Sequence, residues 1–220
     1  MRQLLDHVYS GVIMLRNKGK PFIIWASART ASLGLYYDYK VKNDQVGHET
    51  KGHIPLEKDA SALTYLFDNN YSFCYHLSGY NHIGSSMEKA VQHFSQEQNY
   101  HHIILYREDA VARYKSTLFA LATGAWHSQD RFVINDAKWD EHKDRDWVTI
   151  EKEIQKHYFH IKEWLDNTNQ EYDVVEFNDA IKYISSYTGN NNHKFYEAIP
   201  ENPELEKELK KLNFNYFISD

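Results

Sequence analysis

Phe22-Ile23-Ile24-Trp25-Ala26-Ser27-Ala28-Arg29-Thr30-Ala31-Ser32 is the stretch on which the fold turns. Its first four residues form a short apolar run of the kind expected for a buried strand of a parallel sheet. Lys18-Gly19-Lys20-Pro21 breaks the chain just before it. The small polar segment Ala26 to Ser32 then leads into a helix predicted from about 32 to 42, which makes the whole a strand–loop–helix unit. Working outward, Tyr71–Leu77, His102–Tyr106 and Tyr172–Val175 read as three further strands. Helices are predicted over 2–17, 58–68, 85–96, 108–123, 179–188 and 203–212. The spacing Trp147, Ile150, Ile154, Tyr158, Ile161, Leu165 marks a long helix from Asp146 onward. Residues 43–57, with Gly47, Gly52 and Pro55, read as a loop, and 128–145 as charged and irregular. Strands separated by helices imply right-handed crossovers and a parallel sheet covered on both faces. The expected architecture is α/β, a central parallel sheet of about four to five strands flanked by helices. Nothing resembling a linker or repeat divides the chain, so residues 1–220 are expected to form a single domain.

The composition narrows the function classes. One cysteine, Cys74, excludes a disulfide framework and any cysteine-based zinc site. There are 25 basic and 31 acidic residues, a net charge of −6, which argues against a nucleic-acid binder and leaves room for a local cationic pocket. The 13 histidines show no H-E-x-x-H or comparable spacing, so no metal is expected. His101 and His102 are neighbours that a strand would send to opposite faces. The 17 tyrosines and 5 tryptophans are expected to build core and amphipathic surface. No apolar run approaches the roughly 18 residues of a membrane span. Asp6, Arg16, Lys18 and Lys20 break up the first twenty residues, unlike a secretory signal, so a cytoplasmic location is expected. The first helix and the aromatic tail Phe214-Tyr216-Phe217 could each form a homodimer interface or belong to the core.

Two strand ends carry chemistry. In an open parallel sheet, ligands bind beyond the carboxyl ends of the strands. After the first strand, small residues let the backbone wrap an anion, and a helix N-terminus offers free N–H groups. Arg29 adds a charged fork, and Thr30 and Ser32 add hydroxyls. The loop is not an ATP-binding P-loop of the usual kind, because it has no lysine and its first glycine is Gly34, already in the helix; this disfavours a kinase-like enzyme. The other strand end is His102-Ile103-Ile104-Leu105-Tyr106-Arg107-Glu108-Asp109. Arg107 stands where the strand stops, and Glu108-Asp109 suit a helix start. Further along that helix, Arg113 and Ser116 share a face and offer a cation and a hydroxyl, with Lys115 beside them.

The block from Ile103 to His127 resembles the bacterial trehalose-sulfotransferase-like family. That family has an Arg-Glu-Asp turn, a serine nine residues after the arginine, and a Thr-Gly-x-Trp segment. Arg107-Glu108-Asp109, Ser116 and Thr123-Gly124-Ala125-Trp126 appear here in that order. Arg29-Thr30-Ala31-Ser32 is similar to the family's phosphosulfate loop, and Phe177-Asn178-Asp179-Ala180 to a later family segment. The resemblance implies a P-loop-like three-layer fold. It also implies a sulfotransferase that moves the sulfuryl group of 3′-phosphoadenosine 5′-phosphosulfate (PAPS) to a hydroxyl of a carbohydrate or other small acceptor, without metal. Arg29, Thr30, Ala31 and Ser32 would hold the 5′-phosphosulfate, with Arg29 also stabilising the leaving group, and Arg107 and Ser116 would hold the 3′-phosphate. The family's general base is a glutamate in the loop after the first βα unit; Glu49 stands at a similar spacing, with His48 and His53 as rivals. His48, Trp126 and His127 would approach the acceptor. Ala31 departs from the glycine usual at its position, and if a positive φ is needed there, alanine is strained. The alternative reading is a non-catalytic nucleotide-binding module of the same fold.

Overall fold

The computed structural model describes residues 20–27, 29–42, 53–54, 72–77, 100–126, 133–184, 197–212 and 214. The helices predicted over 2–17, 58–68 and 85–96, and Tyr216 and Phe217, lie outside the described residues. In chain order the elements are β1 (Phe22–Ser27), α1 (Ser32–Lys42), β2 (His53–Ile54), β3 (Phe73–Leu77), β4 (His101–Tyr106), α2 (Ala110–Thr123), α3 (Trp147–Asn167), β5 (Tyr172–Glu176), α4 (Phe177–Tyr183) and α5 (Pro203–Leu209). The five strands form one sheet in the order β2-β3-β1-β4-β5, with every neighbouring pair parallel. The protein is therefore mixed α/β with a parallel sheet flanked by helices.

The sequence dictates most of these elements through side-chain period. β1 and β4 are buried along their whole length, which accounts for their unbroken apolar runs. Phe22, Ile24 and Ala26 of β1 join Ile103 and Leu105 of β4 on one face, packed against Leu35, Tyr36 and Tyr39 of α1 and Ala180 of α4. On the opposite face Trp25 meets Trp164 of α3, ring centroids 6.0 Å apart. A second apolar cluster joins Tyr114, Leu118 and Phe119 of α2 to Trp147 of α3, Leu209 of α5 and Ile199. Local capping sets the ends: Asp109 accepts from the Ala112 N–H at 2.8 Å, and Asp146 from the Thr149 N–H at 3.0 Å. Gly124 closes α2 with φ 73°, a left-handed cap that its lack of a Cβ permits, and its N–H donates to the Ala120 carbonyl.

Three expectations need correction. Residues 53–54, expected in a loop, form the short edge strand β2, in register with Cys74 and Tyr75 of β3; two residues carry no readable period. α4 starts at Phe177 rather than 179, because the Glu176 side chain accepts from the Asn178 N–H and caps it there. The irregular 128–145 stretch contains 3₁₀ turns at Ile134–Asp136 and Trp139–Glu141 within its described part. Among the described residues no helix is long and apolar enough to cross a membrane.

The adjacent histidines part as the pleat requires. His101 stacks on Tyr39 and lies 2.9 Å from the Asp173 carboxylate. His102 points to the other face, where its Nδ1 accepts from the Trp25 indole N–H at 3.1 Å, so it is held as neutral imidazole. Burial, with the nearby His101 adding to it, pushes the His102 pKa down to about 3. The unfolded chain then binds a proton at this site below pH ~6.5 that the folded chain refuses, so stability falls as pH falls from ~6.5 toward the folded value. Between pH 7 and 5 this one group should remove about 2 kcal/mol. His102→Gln keeps an acceptor for Trp25 and should flatten the loss by that amount in urea titrations at the two pH values. An unchanged pH slope would show that another group carries it.

Candidate active site at the β1–β4 crevice

The strand order places the site. The chain leaves β1 toward β2 and β3 on one side and leaves β4 toward β5 on the other, so the two exits diverge where β1 and β4 lie side by side. Such a reversal opens a crevice at the carboxyl edge. The Tyr158 hydroxyl of α3 accepts from the Ser27 N–H at 2.7 Å and donates to the Leu105 carbonyl at 2.6 Å, fixing the last rung of both strands. Burial raises the Tyr158 phenol to about 12, so it stays protonated and able to donate.

The loop after β1 is held in an uncommon shape. Arg29 and Ala31 both adopt left-handed backbone, at φ 65° and 57°. The Thr30 hydroxyl turns inward and donates to the Ser27 carbonyl at 2.8 Å. Ser32 is buried and its hydroxyl pairs with the Cys74 thiol, which burial raises to about 12; that thiol is no nucleophile at neutral pH. Both hydroxyls expected to face an anion are thus engaged inside the protein. α1 carries no acidic residue in its first turn, and its first helical bond runs from the Leu35 N–H to the Ala31 carbonyl at 3.0 Å. The N-terminus of α1 therefore keeps its favourable dipole for an anion.

The side chain of Arg29 crosses the crevice to the β4 side. Its Nε donates to the Ser116 hydroxyl at 2.8 Å, and a terminal nitrogen donates to the Trp126 carbonyl. Arg107, from the end of β4, reaches back: one terminal nitrogen lies 3.4 Å from the Arg29 carbonyl, and its guanidinium sits 4.4 Å from the centre of the Phe177 ring. Arg29, Arg107, Ser116 and Trp126 thus meet in one cluster although 97 residues separate its ends. Trp126 keeps 39% of its surface exposed, which leaves an aromatic face at the rim.

The remaining expected site residues lie either outside this cluster or outside the described residues. Glu49, His48 and His127 lie outside the described residues. His53 sits on β2 in register with Cys74, and Cys74 with Ile24 of β1. That places its main chain two strand spacings, about 10 Å, from β1, and well short of the β1 exit, so the fold does not bring it to the arginine cluster. Arg113, expected to share an open face with Ser116, is instead 2% exposed and paired with Glu151 of α3. The sequence does hold a signal for this pair: Glu151 interrupts the 4-3-4-3 stripe Trp147, Ile154, Tyr158, Ile161, where a charge has to find a buried partner. Lys115 faces away to an ion pair with Glu206, 2.8 Å apart. Among the described residues no group of three or more histidines, cysteines or carboxylates could hold a metal ion.

Ala31 lends itself to a direct test. Left-handed backbone costs an alanine about 1–2 kcal/mol, while its half-buried methyl, packed on the α1 cluster, contributes less than the ~0.8 kcal/mol of a fully buried one. Ala31→Gly should therefore raise the melting temperature by about 1–3 °C. A fall would mean that the methyl contact outweighs the strain.

Comparison with protein-family models, with curated proteins and with solved structures finds no match to this chain.

Proposed function

We propose that this chain is a PAPS-dependent sulfotransferase with a P-loop-like three-layer fold, acting on a hydroxyl of a carbohydrate or another small acceptor. The observation that carries the reading is the convergence of Arg29, Arg107 and Ser116 at the crevice between the ends of β1 and β4. The 5′ and 3′ anionic groups of the donor hang on one ribose, so the sites that hold them must lie close together. The Arg29–Ser116 hydrogen bond puts the two proposed sites within one contact of each other. The left-handed loop and the α1 N-terminus would hold the 5′-phosphosulfate through backbone N–H groups, and Arg107 with Ser116 would hold the 3′-phosphate.

In the transfer, the acceptor oxygen attacks sulfur in line as the bond from sulfur to the 5′-phosphate oxygen breaks. A base takes the acceptor proton, and 3′-phosphoadenosine 5′-phosphate leaves. Arg29 is the cation placed to stabilise the charge that grows on the leaving oxygen, provided it turns from Ser116 toward the loop it belongs to. Glu49 remains the first choice of base, with His48 its rival; the register of β2 counts against His53. The reading carries with it a single domain, a cytoplasmic setting, no metal, and no nucleic-acid or membrane partner. It leaves a homodimer open as the assembly.

The second reading, a binding module without turnover, is favoured by one feature. Arg29 is already held by Ser116 and the Trp126 carbonyl, on the β4 side of the crevice and away from the loop where the leaving oxygen would develop charge. Calorimetric titration with 3′-phosphoadenosine 5′-phosphate tests both. Two controls are needed: adenosine 5′-phosphate, which lacks only the 3′-phosphate, and ADP, which carries two phosphates at the 5′ end. Micromolar binding with at least tenfold preference for the 3′-phosphorylated nucleotide is expected, about 1.4 kcal/mol or more. Equal or absent binding would defeat both readings. Sulfuryl transfer to any member of a hydroxyl panel then decides for the enzyme.

A further inference from the structure

We infer that Arg113 and Glu151 are a positioning pair for Arg107, an inference that takes its ligand from the function proposed above. The pair joins α2 to α3 in the interior, with Arg113 2% and Glu151 4% exposed. Arg113 Nε donates to Glu151 Oε2 at 3.0 Å, and a terminal nitrogen donates to the other carboxylate oxygen, so the fork is bidentate. The second terminal nitrogen donates to the main-chain carbonyl of Arg107. The Arg113 guanidinium also covers the ring of buried Phe214, 4.8 Å from its centre.

A buried ion pair contributes little that well-packed apolar side chains would not, so stability alone is a weak reason for this one. Its geometry supplies another. The turn Arg107-Glu108-Asp109 carries the chain from β4 into α2 and is fixed by Asp109 at the helix start and by Arg113 on the Arg107 carbonyl. Holding that carbonyl sets the direction in which the Arg107 side chain leaves the strand. Glu151 in turn locks Arg113, because a bidentate fork fixes the guanidinium plane. A loosened turn would leave the fold intact and spread the Arg107 guanidinium over several positions, weakening recognition of the 3′-phosphate alone.

The double variant Arg113→Met/Glu151→Leu tests this, since it removes both charges and keeps volume. Its melting temperature should stay within about 5 °C of the parent, as apolar replacement of a buried pair predicts. Two readouts should nevertheless change. Amide hydrogen exchange across residues 107–110 should quicken by about tenfold or more relative to the β1 and β4 amides. Affinity for 3′-phosphoadenosine 5′-phosphate should fall about tenfold while that for adenosine 5′-phosphate holds. Unchanged exchange together with an unchanged ratio of affinities would overturn the inference. If the parent shows no preference for the 3′-phosphorylated nucleotide, the proposed function fails, and the exchange rates still decide whether the pair holds the turn. Arg113→Lys provides the same readouts should the double variant not fold, because a single ammonium lacks the fork that reaches carboxylate and carbonyl together.

Discussion

Glu151→Leu is expected to destabilise the protein by about 3–5 kcal/mol at neutral pH, because it takes the paired carboxylate from a buried guanidinium. Arg113 is held by both Glu151 oxygens and loses that bidentate fork once the carboxylate is gone, while its contacts to the Arg107 carbonyl and the Phe214 ring supply no negative charge in its place. Arginine has no neutral form to retreat to. The partner substitution behaves differently with pH. Arg113→Met strands a carboxylate, which can take up a proton, and its folded pKa then rises above the unfolded value of ~4.3. Between those two values the folded state binds more protons than the unfolded one, so this variant gains stability as pH falls. Urea unfolding at pH 7.5 and 5.5, each variant referred to the parent at the same pH, separates the two. The deficit of Arg113→Met should shrink on acidification and that of Glu151→Leu should not. The reference to the parent matters because His102 makes the parent itself weaker in acid. Parallel deficits at both pH values would mean that Glu151 is not truly desolvated once its partner is lost.

How far the sequence discloses the fold depends on how local each cause is. β1, β4 and α3 were legible because burial on both faces, or along one stripe, writes a period into the residues themselves. The start of α2 was legible to within two residues: expected at 108, it falls at Ala110, because the Asp109 side chain accepts from the Ala112 N–H and caps the helix there. β2 was not, since two residues at a sheet edge have no period and owe their conformation to Cys74 and Tyr75 across the ladder. The site divides the same way. That Arg29 and Arg107 belong to one crevice follows from both standing at the ends of parallel strands. Which way they point does not, because Arg29 is turned by Ser116, 87 residues away, and Arg113 by Glu151, 38 residues away. Thr30 and Ser32 show the limit most plainly: hydroxyls at a helix start suit an anion, yet here the strand end and the Cys74 thiol claim them first. The strain at Ala31 was legible through the identity of one residue, an alanine where the resembling family has glycine, and the structure gives it φ 57°.

Arg107→Ala is expected to weaken binding of 3′-phosphoadenosine 5′-phosphate by about 10- to 100-fold, the 1.5–3 kcal/mol of a charge-assisted hydrogen bond, and to leave adenosine 5′-phosphate unaffected. The selectivity follows from position. Arg107 leaves β4 and approaches the loop from the Ser116 side, while the backbone N–H groups that would take the 5′ end belong to the β1 loop and α1. Its removal also takes from the fold a buried Phe177 contact worth about 2 kcal/mol, so each variant is titrated well below its own melting temperature. Arg29→Ala should behave otherwise and weaken both nucleotides, because Arg29 spans from the β1 loop to Ser116. The double substitution should lose less than the sum of the two, as expected for groups that share neighbours. Titration calorimetry of the three variants with both nucleotides at two salt concentrations reads all of this at once. If Arg107→Ala weakens the two nucleotides equally, the arginine supplies only a general positive field, and an equal loss should then largely vanish at high salt. A selective loss that persists in high salt places the 3′-phosphate against the Arg107 fork, in the crevice that the divergence of β1 and β4 creates.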